Sequence, residues 1–166
     1  MTLTDMNRDL HDRLLVLLED TLVAALGLDF AGALALSDSL GDQLANHELY
    51  EEAALASLPE LAEAPRGGDS ALVIAEHRKL DALHADTRRV LVSLVDLAAA
   101  HPPHPPHSAE VQRRALVRHL DPLLRFKHLL EHHTERENKI VYPFLDATLA
   151  AEARDALAAH LVAPHA

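Results

Sequence analysis

Two apolar stripes, each interrupted by a His-x3-Glu pair, fix most of what this chain can fold into. In one, Leu40, Leu44, His47, Glu51, Ala54 and Leu58 recur at intervals of three and four. In the other, Leu123, Phe126, Leu130, His133, Glu137, Ile140 and Phe144 do the same. That period is helical, and residues at i and i+4 share a helix face, so each pair occupies core positions. A buried carboxylate without compensation is costly, so both stripes call for a metal ion or a buried ion pair. Surface histidines would not fall on a seam twice.

Composition points the same way. Hydrophobic residues make up 49% of the chain, mostly Ala and Leu, while aromatics are 3% and only five residues are Gly, which suits helices packed on helices. A length of 166 residues fits one domain, expected to span 1–166. The absence of cysteine excludes disulfides, thiolate-bound zinc, iron–sulfur clusters and cysteine nucleophiles. A formal charge of -11 with no Lys/Arg stripe argues against a nucleic-acid partner. No apolar stretch approaches the ~20 residues that span a bilayer, so no membrane partner is expected. The acidic, polar opening MTLTDMNRDLHD is unlike a signal peptide, and a soluble cytoplasmic protein is expected.

Capping and breaking signals divide the chain into helices. The first is expected from about Asp5 to Leu26, with Thr4 as its N-cap and Gly27 past its end. Asp29 caps a second, Phe30 to about Ser57; PELAEAPRGGDS is a loop, and Ser70 opens a third helix to about Ala100. HPPHPPH at 101–107 is expected to be a stiff polyproline connector, with Ser108 capping the fourth helix. Residues 109–142 read as one long helix kinked near Pro122. The expected fold is all-α: an antiparallel up-and-down four-helix bundle over about 5–145, with a short extra helix over about 147–161.

Two further histidines, His11 and His77, lie in the first and third helices. In an antiparallel bundle, facing residues stand at similar distances from the turn joining their helices. His11 is about 15 residues before the first turn and His47 about 17 after it, depths that differ by ~3 Å at ~1.5 Å per residue. The same reckoning brings His77 level with His47 and Glu51 across the second loop, and with His133 across the polyproline connector. His11, His47, Glu51, His77, His133 and Glu137 are therefore expected in one layer. Four imidazoles and two carboxylates suit a pair of Fe, Mn, Co or Zn ions, each glutamate bridging and two histidines capping each ion. The open positions left would admit O2, peroxide or NO.

These residues resemble the hemerythrin-like, or HHE cation-binding, proteins. HHTERENKIVYPFL is similar to the second His-x3-Glu repeat of that family, HELYEEAALASLP to the first, NRDLHDRLLVLL to the opening helix with its lone His, and AEHRKL to the start of the third. The resemblance covers roughly residues 5–145 and implies a non-haem diiron centre held by His11, His47, Glu51, His77, His133 and Glu137. Two iron ions are thus the expected cofactor, with manganese or zinc as alternatives. The dedicated oxygen carriers of the family place a second His one turn after the third-helix ligand and end with His-x4-Asp. Here those positions hold Asp81 and a His-x3-Glu, so the chain resembles the branch linked to peroxide, nitric-oxide or iron–sulfur repair chemistry. The implied function is a diiron oxidoreductase or stress-defence protein that takes peroxide, NO or O2, with an external reductant. A reversible O2 or iron carrier, a sensor, a diiron oxygenase acting on an organic substrate, and a bundle with a merely structural polar layer stand beside it.

Other residues near this layer carry narrower expectations. His132 points off the seam that holds His133. His84, seven residues beyond His77, returns to the seam ~10 Å deeper and reads as a hydrogen-bonded core histidine, with a proton or ligand channel as the other role. Asp81 is a candidate acceptor for a ligand histidine N–H. Tyr50 and Tyr142 are candidates to lie beside the centre, and the three histidines of HPPHPPH are too widely spaced for one chelate.

Overall fold

The computed structural model describes residues 1–56, 67–101 and 106–162. The protein is all-α, with no strand among the described residues. Four long helices run Leu3–Leu26 (α1), Phe30–Ala56 (α2), Gly67–Ala100 (α3) and Pro106–Arg136 (α4). A π-helical turn, Glu137–Val141, then leads into α5 (Tyr142–Thr148), and α6 (Ala151–Val162) comes last. α1 packs on α2 and α4, α2 on α3, and α3 on α4, so each long helix has two long neighbours. No described helix is long and apolar enough to cross a membrane.

The start of α1 differs from expectation. Its cap is Thr2, not Thr4: the Thr2 hydroxyl accepts the Asp5 N–H at 3.0 Å, and the Asp5 carboxylate accepts the Thr2 N–H at 3.1 Å. Thr4 turns elsewhere, because its N–H and hydroxyl, with the Leu3 N–H, donate to Asp146 at 2.7–3.1 Å. Asp29 caps α2 as expected, its carboxylate accepting the Gly32 N–H at 2.9 Å. Between them Leu28, rather than Gly27, takes the left-handed backbone, with φ 65°.

Two further starts move upstream: α3 begins at Gly67, not Ser70, and Ser108 lies inside α4, which begins at Pro106. Of the loop expected over 59–70, residues 59–66 lie outside the described residues and 67–70 are helical; of the connector expected over 101–107, residues 102–105 lie outside them and 106–107 are helical. α4 runs through Pro122 as one helix, but the single helix expected over 109–142 is interrupted at Glu137 by the π turn.

Beyond Arg136 the extra residue of the π turn shifts the seam by one position. Ile140 and Phe144, expected on the seam, are only half-buried, whereas Val141, Tyr142 and Leu145 are buried. The final helix starts at Ala151, later than the expected 147, because Leu149 is extended (φ -72°, ψ 137°) and breaks the chain of helical bonds.

The core has two parts. Ala25, Phe30, Ala33, Leu91, Leu94 and Leu123 belong to one. Leu10, Leu14, Leu44, Leu80, Leu130 and Tyr142 belong to the other, which α6 extends with Leu157 and Leu161. His47 stands three residues after Leu44, and His133 three after Leu130, so the polar layer is set into this second part.

Candidate metal centre

Four helices and the π turn bring all six expected residues together. His11 (α1), His47 and Glu51 (α2), His77 (α3), His133 (α4) and Glu137 (π turn) are each at most 2% exposed. His133 Nε2 lies 2.8 Å from Glu137 Oε1, and His11 Nε2 lies 3.3 Å from Glu137 Oε2. His77 Nε2 is 3.1 Å from Glu51 Oε2, and His47 Nε2 stands 3.7 Å from the same oxygen and 3.8 Å from Glu137 Oε2. Two overlapping sets of four could each hold a metal ion: His11, His47, His133 and Glu137; and Glu51, His77, His133 and Glu137. Within each set the donor atoms lie within 4.8 Å of one another.

The inward atoms of this layer lack ordinary hydrogen-bond partners. Nε2 of all four histidines, both oxygens of Glu51 and Oε1 of Glu137 are buried and unsatisfied. These atoms approach one another without well-aligned hydrogen bonds, and a buried polar atom left so costs up to ~1–3 kcal/mol, which a metal ion held between them would offset. The outward nitrogens are engaged. His11 Nδ1 donates to the Asn7 carbonyl at 3.2 Å, His77 Nδ1 to Glu52 at 3.0 Å and His133 Nδ1 to Glu76 at 3.4 Å. A proton held on Nδ1 leaves the Nε2 lone pair facing the centre, the tautomer a metal requires. The donor set and its orientation could hold metal ions.

Without an ion, the charges of the layer must balance among themselves. Burial pushes His11 down to about 3, despite the Glu137 charge. Burial also opposes charge on His77 and His133, but contacts with Glu137 and Glu51 outweigh it and raise them to about 11 and about 10. Glu137 is likewise burdened by burial, yet His133 and His11 hold it well below the ordinary carboxylate range. Burial and the Glu137 charge push Glu51 upward. Protons on His77 and His133 thus take the place of metal charge, and a metal ion would displace them.

Around this centre the expectations divide. The acceptor on His77 is Glu52, not Asp81, which is exposed. Tyr50 is half-buried, whereas Tyr142 is fully buried, its hydroxyl without a well-aligned hydrogen bond and within the electrostatic reach of Glu51 and Glu137. His84 is half-buried rather than a core residue, its Nε2 donating to the Ser37 carbonyl at 2.8 Å. Its ring lies so close to Gly41 that a Cβ there would fall 2.2 Å from His84 Cε1, so a larger residue would displace the ring. His132 is exposed, off the seam as expected.

Sequence reasoning missed Asn7, Glu52 and Glu76, which orient the histidines, and buried Glu48, which burial raises to about 8. Asn7 alone left a signal, being a polar residue one turn before His11; its side-chain amide donates to Glu137 Oε2 at 3.1 Å. No protein-family model matches the chain, and no curated protein or solved structure matches it.

Proposed function

We propose that the six residues form a non-haem diiron centre of hemerythrin-like type, within an antiparallel up-and-down four-helix bundle. The protein binds or reacts with peroxide, NO or O2 in stress defence or redox chemistry. The observation that carries this reading is the convergence of four buried Nε2 atoms, none in a well-aligned hydrogen bond, on two carboxylates, in two sets of four donors. His11 and His47 would hold one ion, Glu51 and His77 the other, and His133 and Glu137 lie within reach of both. Two iron ions bound there would supply one-electron steps at adjacent centres and open positions for a small ligand.

The chain's own residues set the conditions for that chemistry. Asn7, Glu52 and Glu76 fix three imidazoles by their Nδ1 protons, and Arg136, 3.2 Å from both Glu76 oxygens, holds Glu76 in turn. Leu10, Leu14, Leu44 and Leu130, all buried, keep bulk water away. Tyr142 brings a neutral O–H to the two carboxylates, with burial foremost in holding its proton well above the ordinary tyrosine range.

The test is optical and paramagnetic titration of the reduced, iron-loaded protein with NO, peroxide and O2 in turn. A ligand-dependent band proportional to iron is expected, and Tyr142→Phe should change the ligand dissociation rate by about tenfold, the worth of one hydrogen bond. Stoichiometric, reversible binding without turnover would make the protein a carrier or sensor. Two bound irons with no response to any of the three ligands would refute the reading.

A further inference from the structure

Outside the buried layer, α4 carries a second pair of facing imidazoles. His128 and His132 are both exposed, one helical turn apart, with ring centroids 4.3 Å apart and planes at 80°. Their Nε2 atoms face each other at 3.2 Å.

That separation matches a chelate. With metal–nitrogen bonds of ~2.0–2.1 Å, two ligand nitrogens lie ~2.9 Å apart at a right angle and ~3.4 Å apart at the tetrahedral angle. The observed distance, spanned by a hydrogen bond between the two rings, falls between these limits, so an ion could replace the shared proton with small turns of the exposed rings. His132 Nδ1 faces Glu135 Oε2 at 3.9 Å, an orientation that favours a proton there and a lone pair on Nε2.

The pair lines a groove of about 490 Å³ between α3 and α4, with Asp86 on the opposite wall. Lys79 and Arg125 line it as well, so the groove is no acidic cage for calcium or magnesium. Two neutral imidazoles with a carboxylate nearby select ions that favour nitrogen, and the surface is open to water for the remaining positions.

We propose that His128 and His132 form a surface chelate for a borderline divalent transition ion, zinc or copper(II), separate from the buried layer. The site needs neither the diiron reading nor the buried residues. Its reach is one turn of α4, which an ion would clip across the helix immediately before His133.

The test is carbethoxylation of the full chain by diethyl pyrocarbonate, read residue by residue by peptide mass spectrometry with and without zinc chloride. The reagent reaches exposed imidazoles, and His119, exposed on the same helix, is the internal reference. Zinc should slow modification of His128 and His132 by about fivefold or more and leave His119 unchanged. In His128→Gln the protection of His132 should vanish; both positions are exposed, so neither substitution threatens the fold. Equal rates with and without zinc, protection extending to His119, or protection of His132 that survives in His128→Gln would each overturn the proposal. Protection caused by metal in the buried layer would persist at His132 in His128→Gln, so the outcome stands apart from that of the diiron reading.

Discussion

Glu137 differs from Glu51 in a way their identical motifs conceal. Its oxygens lie near the Nε2 atoms of His11, His47, His77 and His133, whereas Glu51 faces only His47 and His77. Glu137 and His133 belong to both donor sets, and His47 to one. Glu137→Ala should therefore abolish binding of both ions, while His47→Ala should leave about one per chain, as measured by metal analysis after desalting. Equal losses in the two variants would mean that the sets are not separable. His47, Glu51, His133 and Glu137 were legible because a polar residue on an apolar stripe is conspicuous, and His11 and His77 because their depths match. Their outer partners were not: Glu52 and Glu76 reach His77 and His133 across helix interfaces, and a sequence pattern carries no record of which exposed-looking carboxylate faces which neighbour. Asp81, one turn from His77, satisfied the spacing and lost to Glu52 on the facing helix.

At the scale of elements, the decisive feature is the π turn at Glu137–Val141. The sequence period predicts Ile140 and Phe144 on the seam, and the structure buries Val141 and Leu145 instead. A single extra residue accounts for the shift, and π turns of this kind arise at functional sites. Removing exposed Lys139 would restore α-helical spacing while keeping Val141 and Leu145 in phase with His133 and Glu137. The Lys139 deletion is expected to fold with α-helical content unchanged by circular dichroism. Deleting exposed Glu131 within α4 should rotate everything downstream by about 100° and cost the cooperative transition. If the Lys139 deletion fails to fold as well, the π turn is indispensable to the helix rather than an insertion into it. Helix existence and order were readable from caps and breakers, but the π turn leaves no compositional mark, and the starts at Thr2, Gly67 and Pro106 depended on contacts or turns that local preferences do not specify.

Across the whole molecule, the chain is closed by Asp146, which receives three hydrogen bonds from Leu3 and Thr4 at the beginning of α1. Burial works against its charge, but those bonds prevail and hold its pKa below the ordinary value of 3.8. A carboxyl with a lowered folded-state pKa stabilises the fold above its unfolded value and loses that contribution as pH falls through the folded one. Asp146→Asn should thus cost about 1 kcal/mol at pH 7 by denaturant titration, with the difference from wild type shrinking below about pH 4. A gap independent of pH would place the effect in packing instead. The layer was legible at this scale too, since depths counted along the helices bring six residues to one level from their spacing alone.

The same layer makes stability and metal one question, because an ion that binds only the folded chain stabilises it by mass action. The direct measurement is metal content per chain by mass spectrometry, on protein produced in iron-replete medium and purified without oxygen, with thermal unfolding before and after chelation. About two iron per chain and a lower unfolding midpoint once they are removed are expected. Zinc alone, or no metal with an unchanged midpoint, would contradict the diiron reading and leave a buried network of protonated histidines and carboxylates.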